Sequence, residues 1–209
     1  MKNRILDVLP FFLMGDLILP FLLAPTYQGY NHLTQVMSAL GNPKAPLHIL
    51  YSIWLIVLGI VLLFCDFKLY PIIAEKSNLI AITLFVIICF YAIGACILSG
   101  FFPVGETKEL KTISAKIHGY GSVIGFMLLV FAPMFIGLYF FKISKGFWGI
   151  FSLACFAFAL LCFVLFVMAD KPEYQGSIIA FGGLWQRLSL LCMYLPIIAL
   201  CVTKNFFEN

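Results

Sequence analysis

Six apolar stretches dominate this chain, each close to the ~20 residues a helix needs to cross a bilayer. They run from Leu9 to Ala24, Leu47 to Phe67, Asn78 to Phe102, Ile117 to Phe141, Phe147 to Met168 and Ala180 to Val202. Blocks of this length are too uniform for the core helices of a soluble domain, and none alternates in the in/out pattern of a membrane barrel. Only 11% of the 209 residues are charged, against about 25% in ordinary soluble domains. The sequence therefore predicts an all-α polytopic membrane bundle, a single domain over residues 1–209, in which each helix pairs its own backbone groups. Its first partner is the lipid bilayer.

The start, Met1-Lys2-Asn3-Arg4 followed by an apolar run, imitates a secretory signal peptide. Asp16 interrupts that run and Pro25 follows Ala24, so no clean small-x-small cleavage site is present, and the segment reads as an uncleaved first span. Orientation follows from lysine and arginine placement. With the amino terminus inside, Lys2, Arg4, Lys68, Lys76, Lys142, Lys145 and Lys204 lie inside, against Lys44, Lys108, Lys111, Lys116, Lys171 and Arg187 outside. Lys116 and Arg187 sit at or within helix ends, so the short-loop comparison favours a cytoplasmic amino terminus in the cell membrane. No basic cluster interleaved with aromatics appears, which argues against a nucleic-acid partner.

The polar residues gather in the first, third and fifth connections, which alternation puts on one side. In the first, Pro25 to Pro46, the spacing of Leu33, Val36, Met37 and Leu40 predicts a short amphipathic helix. Asn31 would cap its start, Gly41 and Pro43 would end it, and Asn31, Thr34 and Ser38 would form its polar stripe. Tyr27, Tyr30, Tyr120, Tyr174 and Trp185 fall where an interfacial aromatic belt would place them. Gly121 and Gly125 match the close-packing motif of membrane helices, and Pro20, Pro133 and Pro196 invite kinks inside spans one, four and six.

Asp16 and Arg187 carry the greatest cost, because a charged side chain inside a bilayer needs a partner. Counting from the span ends puts Asp16 ~12 Å and Arg187 ~10 Å below the same boundary, at ~1.5 Å per residue. Equal depth predicts that the two pair. The pair would either lock span one to span six or belong to a polar site that recognises a headgroup or relays protons.

His32, His48 and His118 lie on the same side. With Glu106 or Asp170 as a further ligand, these imidazoles could hold a zinc ion that activates water for hydrolysis. No two of them have metal-ligand spacing, and three residues can share a side by chance, so separate structural roles are the favoured reading. Ser38 is six residues from His32, on another helical face, and no Gly-x-Ser-x-Gly signature occurs, so a serine hydrolase is not indicated. The seven cysteines lie within or at the ends of spans with no Cys-x-x-Cys spacing, as small packing residues would.

Gly29-Tyr30-Asn31-His32, Ser38-Ala39-Leu40-Gly41, Gly100-Phe101-Phe102-Pro103, His118 and Gly183-Leu184-Trp185-Gln186-Arg187-Leu188 form a recognisable set. Together they resemble the prokaryotic membrane family called domain of unknown function 998. The resemblance covers nearly the whole chain and implies six spans with these motifs gathered at one side. Three positions depart from the family pattern. Ala39 stands where an acid often follows the serine, Gln186 where glutamate often precedes the arginine, and Glu106 comes later after Phe-Pro than the usual acid. The family name supplies no activity.

These residues point first to a binding or transport module, holding a lipid or small amphiphile in a polar cleft on the extracytoplasmic side. Asp16, Ser38, Arg187, Gln186, His118 and His32 are its candidate ligand-binding residues. A membrane-embedded metal hydrolase using His32, His118 and Glu106 is the second reading, and a structural or assembly subunit the third. No cofactor and no oligomeric state can be read from the sequence.

Overall fold

A computed structural model of the chain describes residues 4–103 and 112–203. Among them every regular element is helical. Six helices are long and apolar enough to cross a membrane: α1 (Ile5–Thr26), α2 (His48–Ala74), α3 (Asn78–Phe101), α4 (Ile113–Lys142), α5 (Gly146–Met168) and α6 (Gly182–Thr203). The end of the bundle bearing the first, third and fifth connections is termed the upper end.

α6 is the centre of the bundle. It packs on α1, on α5 and on the lower part of α4, and 61% of its apolar window is buried, against 22% for α5. Ser189, Met193 and Tyr194 are fully enclosed along it. The other five wrap around it in chain order, α1 against α2, α2 against α3, α3 against α4 and α4 against α5. Their outward faces remain apolar, as lipid contact requires: Phe11, Leu79 and Phe147 are each more than 70% exposed.

Two irregularities shape the upper half. α3 changes from a regular helix (Asn78–Phe90) to a π-helix at Tyr91–Leu98, a wide coil found mostly as short bulges at functional places. α4 is broken into Ile113–Leu129 and Ala132–Lys142, with a proline in the first turn of the second piece. Pro133 has no N–H and its ring excludes the preceding turn, so the break falls just before it. The two pieces pack differently. Ile113–Leu129 lies chiefly on the π segment of α3, whereas Ala132–Lys142 lies on α5, α6 and the regular part of α3. The divergence leaves room between upper α4 and the α5–α6 pair.

Upper α4 approaches α3 backbone to backbone. A Cβ on Gly94 would collide with the Gly121 carbonyl, and one on Gly125 would come within 3.0 Å of Tyr91 Cα. The small-residue face of α4 therefore does serve helix contact, with the π segment as its counterpart.

The first connection differs from its predicted form. Its short helix is a 3-10 turn confined to Met37–Gly41, not a helix capped by Asn31. Asn31 instead closes a local turn, its Oδ1 accepting from Leu33 N at 2.8 Å. Met37 and Leu40 are buried as the spacing implied, but Leu33 is 44% exposed. The third connection's Glu106, Lys108, Glu109 and Lys111 lie outside the described residues.

Candidate functional site

A cavity of about 310 Å³ occupies the space left by the diverging upper half of α4. That is the low end of the ~300–1,000 Å³ range of small-molecule sites. All six helices and the first connection contribute to its wall. Phe126, Phe163, Phe166, Leu55 and Leu190 make it largely apolar, while Asp16, Tyr51, Tyr91, Ser99 and His118 supply polar groups. Val123 of α4 and Val167 of α5 also line it and are 59% and 54% exposed. The rim between α4 and α5 thus presents outward-facing valines, with the exposed Asp170 at its upper end.

Asp16 reaches the cavity from α1 and is 2% exposed. Trp54 Nε1 of α2 donates to its Oδ1 at 3.0 Å, and the Tyr194 hydroxyl of α6 donates to its Oδ2 at 2.9 Å. Tyr194 is in turn hydrogen-bonded to the Tyr91 hydroxyl from the π segment. One carboxylate thus draws four helices together at a single level.

Arg187 does not pair with Asp16, contrary to the depth argument. Both side chains are buried, but they point to different surroundings. Arg187 Nη1 donates to the carbonyls of His32 at 2.8 Å, Gln35 at 3.2 Å and Gly183 at 2.7 Å. Its Nη2 donates to the Tyr30 hydroxyl at 2.6 Å and lies 3.3 Å from His32 Nδ1. The guanidinium also sits 5.9 Å from the Phe21 ring centroid. Every one of these partners is neutral. The rigid fork of arginine donors suits the task of gathering several carbonyls.

The neighbouring Gln186 completes the arrangement. Its Oε1 accepts from Met37 N at 2.8 Å, while the Tyr30 hydroxyl donates to the Val36 carbonyl at 3.2 Å. Gly183 permits the close fit, since a Cβ there would collide with the carbonyls of His32 and Gln35. The upper end of α6 thereby fixes the first connection, and with it the position of Ser38 on the cavity wall. Loss of water raises the Tyr30 hydroxyl above the ordinary tyrosine pKa, an effect opposed by the nearby Arg187 charge. Desolvation, reinforced by that same charge, lowers His32 below the ordinary histidine value.

Of the six candidate residues, Asp16, Ser38, Gln186 and His118 line the cavity. Arg187 and His32 do not; they form the buttress behind the first connection. His32 stacks on Phe21 at 4.5 Å between centroids. His118 Nδ1 lies 2.9 Å from the Phe102 carbonyl and joins the start of α4 to the end of α3. His48 Nδ1 lies 2.8 Å from the Ala45 carbonyl. Each histidine thus has its own local role, and Glu106 lies outside the described residues. Among the described residues no group of three or more His, Cys, Asp or Glu side chains could hold a metal ion.

Three further residues of the site carry no signal in the sequence. Nothing local in the sequence distinguishes Trp54, Tyr91 and Tyr194 from the other aromatics. Asp66 of α2 is a second buried acid, away from the cavity. It is 3% exposed and accepts from Cys89 Sγ at 3.5 Å. α2 continues through Lys68 to Ala74, which makes Asp66 interior to the helix.

The chain belongs to the family described as protein of unknown function (DUF998), whose profile matches residues 11–203. No curated protein and no solved structure matches it.

Proposed function

We propose that this multi-pass protein holds a lipid or other small amphiphile in the cavity beneath its first connection. In this reading it resides in the cell membrane, its amino terminus is cytoplasmic and the cavity end is extracytoplasmic. One observation carries the proposal: buried polar groups and the outward-facing valines of α4 and α5 belong to the same cavity. Asp16, Tyr91 and Ser99 line it together with Val123 and Val167. An amphiphile has that polarity, and a rim between two spanning helices lets it enter sideways from the bilayer. Binding sites of this kind pair mostly apolar walls with a few placed polar groups.

Native mass spectrometry of the purified full chain tests the reading. The wild type should retain an amphiphile of defined mass, and Val123→Trp with Val167→Trp, which narrow the rim, should lose it. A wild type that carries none, or a bulky rim that changes nothing, would refute the proposal. Fluorescent-protein fusions at each end test orientation, since both should fluoresce if the termini are cytoplasmic.

A further inference from the structure

The surroundings of Asp16 indicate what kind of headgroup the cavity takes. The indole N–H of Trp54 can only donate, so Asp16 Oδ1 must accept. Tyr194 spends its proton on Oδ2, which leaves its oxygen to accept from Tyr91. The chain of hydroxyls is thus polarised toward Asp16, and each link strengthens the next. With Asp16 ionised, both of its oxygens therefore accept.

Among the described residues that carboxylate has no cationic hydrogen-bond partner. Arg187, the partner its depth suggested, is occupied by neutral acceptors, and Asp16 accepts instead from Trp54 and Tyr194, neither of them a cation. An ionised carboxylate offers about four acceptor sites, and two are used. The rest of the charge faces a cavity whose described wall contains no lysine or arginine. Tyr51, Tyr91, Phe163 and Phe166 line the same space, and aromatic faces attract cations. An anionic headgroup would meet Asp16 with no positive side chain among the described wall residues. A neutral one would leave the carboxylate uncompensated at membrane depth, which is costly.

We propose that the ligand is a cationic amphiphile bearing an ammonium headgroup, and that Asp16 is its counter-ion. The proposal rests on the reading of the cavity as an amphiphile site. Trp54 is a built-in reporter, because its indole contacts Asp16. In a Trp148→Phe, Trp185→Phe background of the full chain, Trp54 fluorescence follows titration with dodecylammonium, dodecanol and dodecyl phosphate near neutral pH in non-ionic detergent. Dodecylammonium should bind about tenfold or more tightly than dodecanol, and dodecyl phosphate should bind weakest. Asp16→Asn should reduce dodecylammonium to the level of dodecanol.

If dodecanol or dodecyl phosphate binds the wild-type cavity as well as dodecylammonium, the headgroup assignment falls and the amphiphile site stands. A preference for ammonium that persists in Asp16→Asn overturns the role of Asp16. If none of the three binds, the amphiphile reading itself fails. The wild-type comparison decides the headgroup even if Asp16→Asn does not fold.

Discussion

The Tyr194 hydroxyl lies 2.9 Å from Asp16 Oδ2 and joins the central helix to the first one inside the bundle. Both residues are almost wholly enclosed, at 0% and 2% exposure. In that setting a hydrogen bond is the only alternative to an unsatisfied polar atom. Tyr194 also holds Tyr91, so a single ring organises α1, α3 and α6.

Tyr194→Phe removes a donor from Asp16 and an acceptor from Tyr91 while keeping the ring volume. The loss should be about 1–2 kcal/mol of unfolding free energy, between the soluble-protein and membrane-protein values for buried bonds. Denaturant unfolding in detergent measures it. In a double-mutant cycle with Asp16→Asn the two losses should fall short of additive, because the residues share one bond. Full additivity would mean that the bond contributes nothing.

Arg187→Lys keeps the charge but not the fork. A lysine ammonium cannot reach the carbonyls of His32, Gln35 and Gly183 together with the Tyr30 hydroxyl. The expected outcome is faster amide hydrogen exchange across Tyr30–Val36, including Gln35 N, which bonds Asn31 O at 2.8 Å. Exchange in lower α6 should stay as in the wild type. Unchanged protection of the first connection would show that Arg187 does not hold it.

The same clamp explains which parts of the molecule could be read from the sequence. The spans were legible because length and hydropathy alone decide whether a helix can cross a bilayer. The shape of the first connection was not. Leu33, Val36, Met37 and Leu40 have helical spacing, yet residues 31–35 are held by an arginine about 150 positions away in the chain. The Asp16–Arg187 pairing failed for a related reason. Residue counting gives depth but not the direction around the helix axis, and Asp16 faces Trp54 and Tyr194 while Arg187 faces the connection. The π segment of α3 left no sequence signal, since its wide turns accommodate the backbone of α4 rather than any motif of its own.

Acid should loosen the upper end through His32. Desolvation and the Arg187 charge hold this imidazole below the histidine reference of 6.5. The unfolded chain therefore binds the proton first on acidification. The stability associated with neutral His32 is complete above about pH 6.5 and is lost as pH falls from there through the lower folded value. Hydrogen exchange across Tyr30–Val36 should accelerate over that interval, and His32→Asn should flatten the pH dependence. A wild-type response centred above pH 6.5 would contradict the sign.

Gly94→Ala tests the contact between upper α4 and the π segment. The added methyl group would meet the Gly121 carbonyl, which is backbone and cannot turn aside as a flexible side chain would. The helices must separate or the π segment must shift, and overpacking of this kind costs about 1–3 kcal/mol. The same methyl on Gly146, where nothing lies within 4 Å, is the control. Thermal unfolding should show Gly94→Ala clearly below the wild type and Gly146→Ala near it. Because upper α4 forms one wall of the cavity through His118, Gly119 and Ser122, Gly94→Ala should also weaken amphiphile binding without altering any cavity-lining side chain. Normal stability and binding together would mean that α3 and α4 do not depend on this backbone approach.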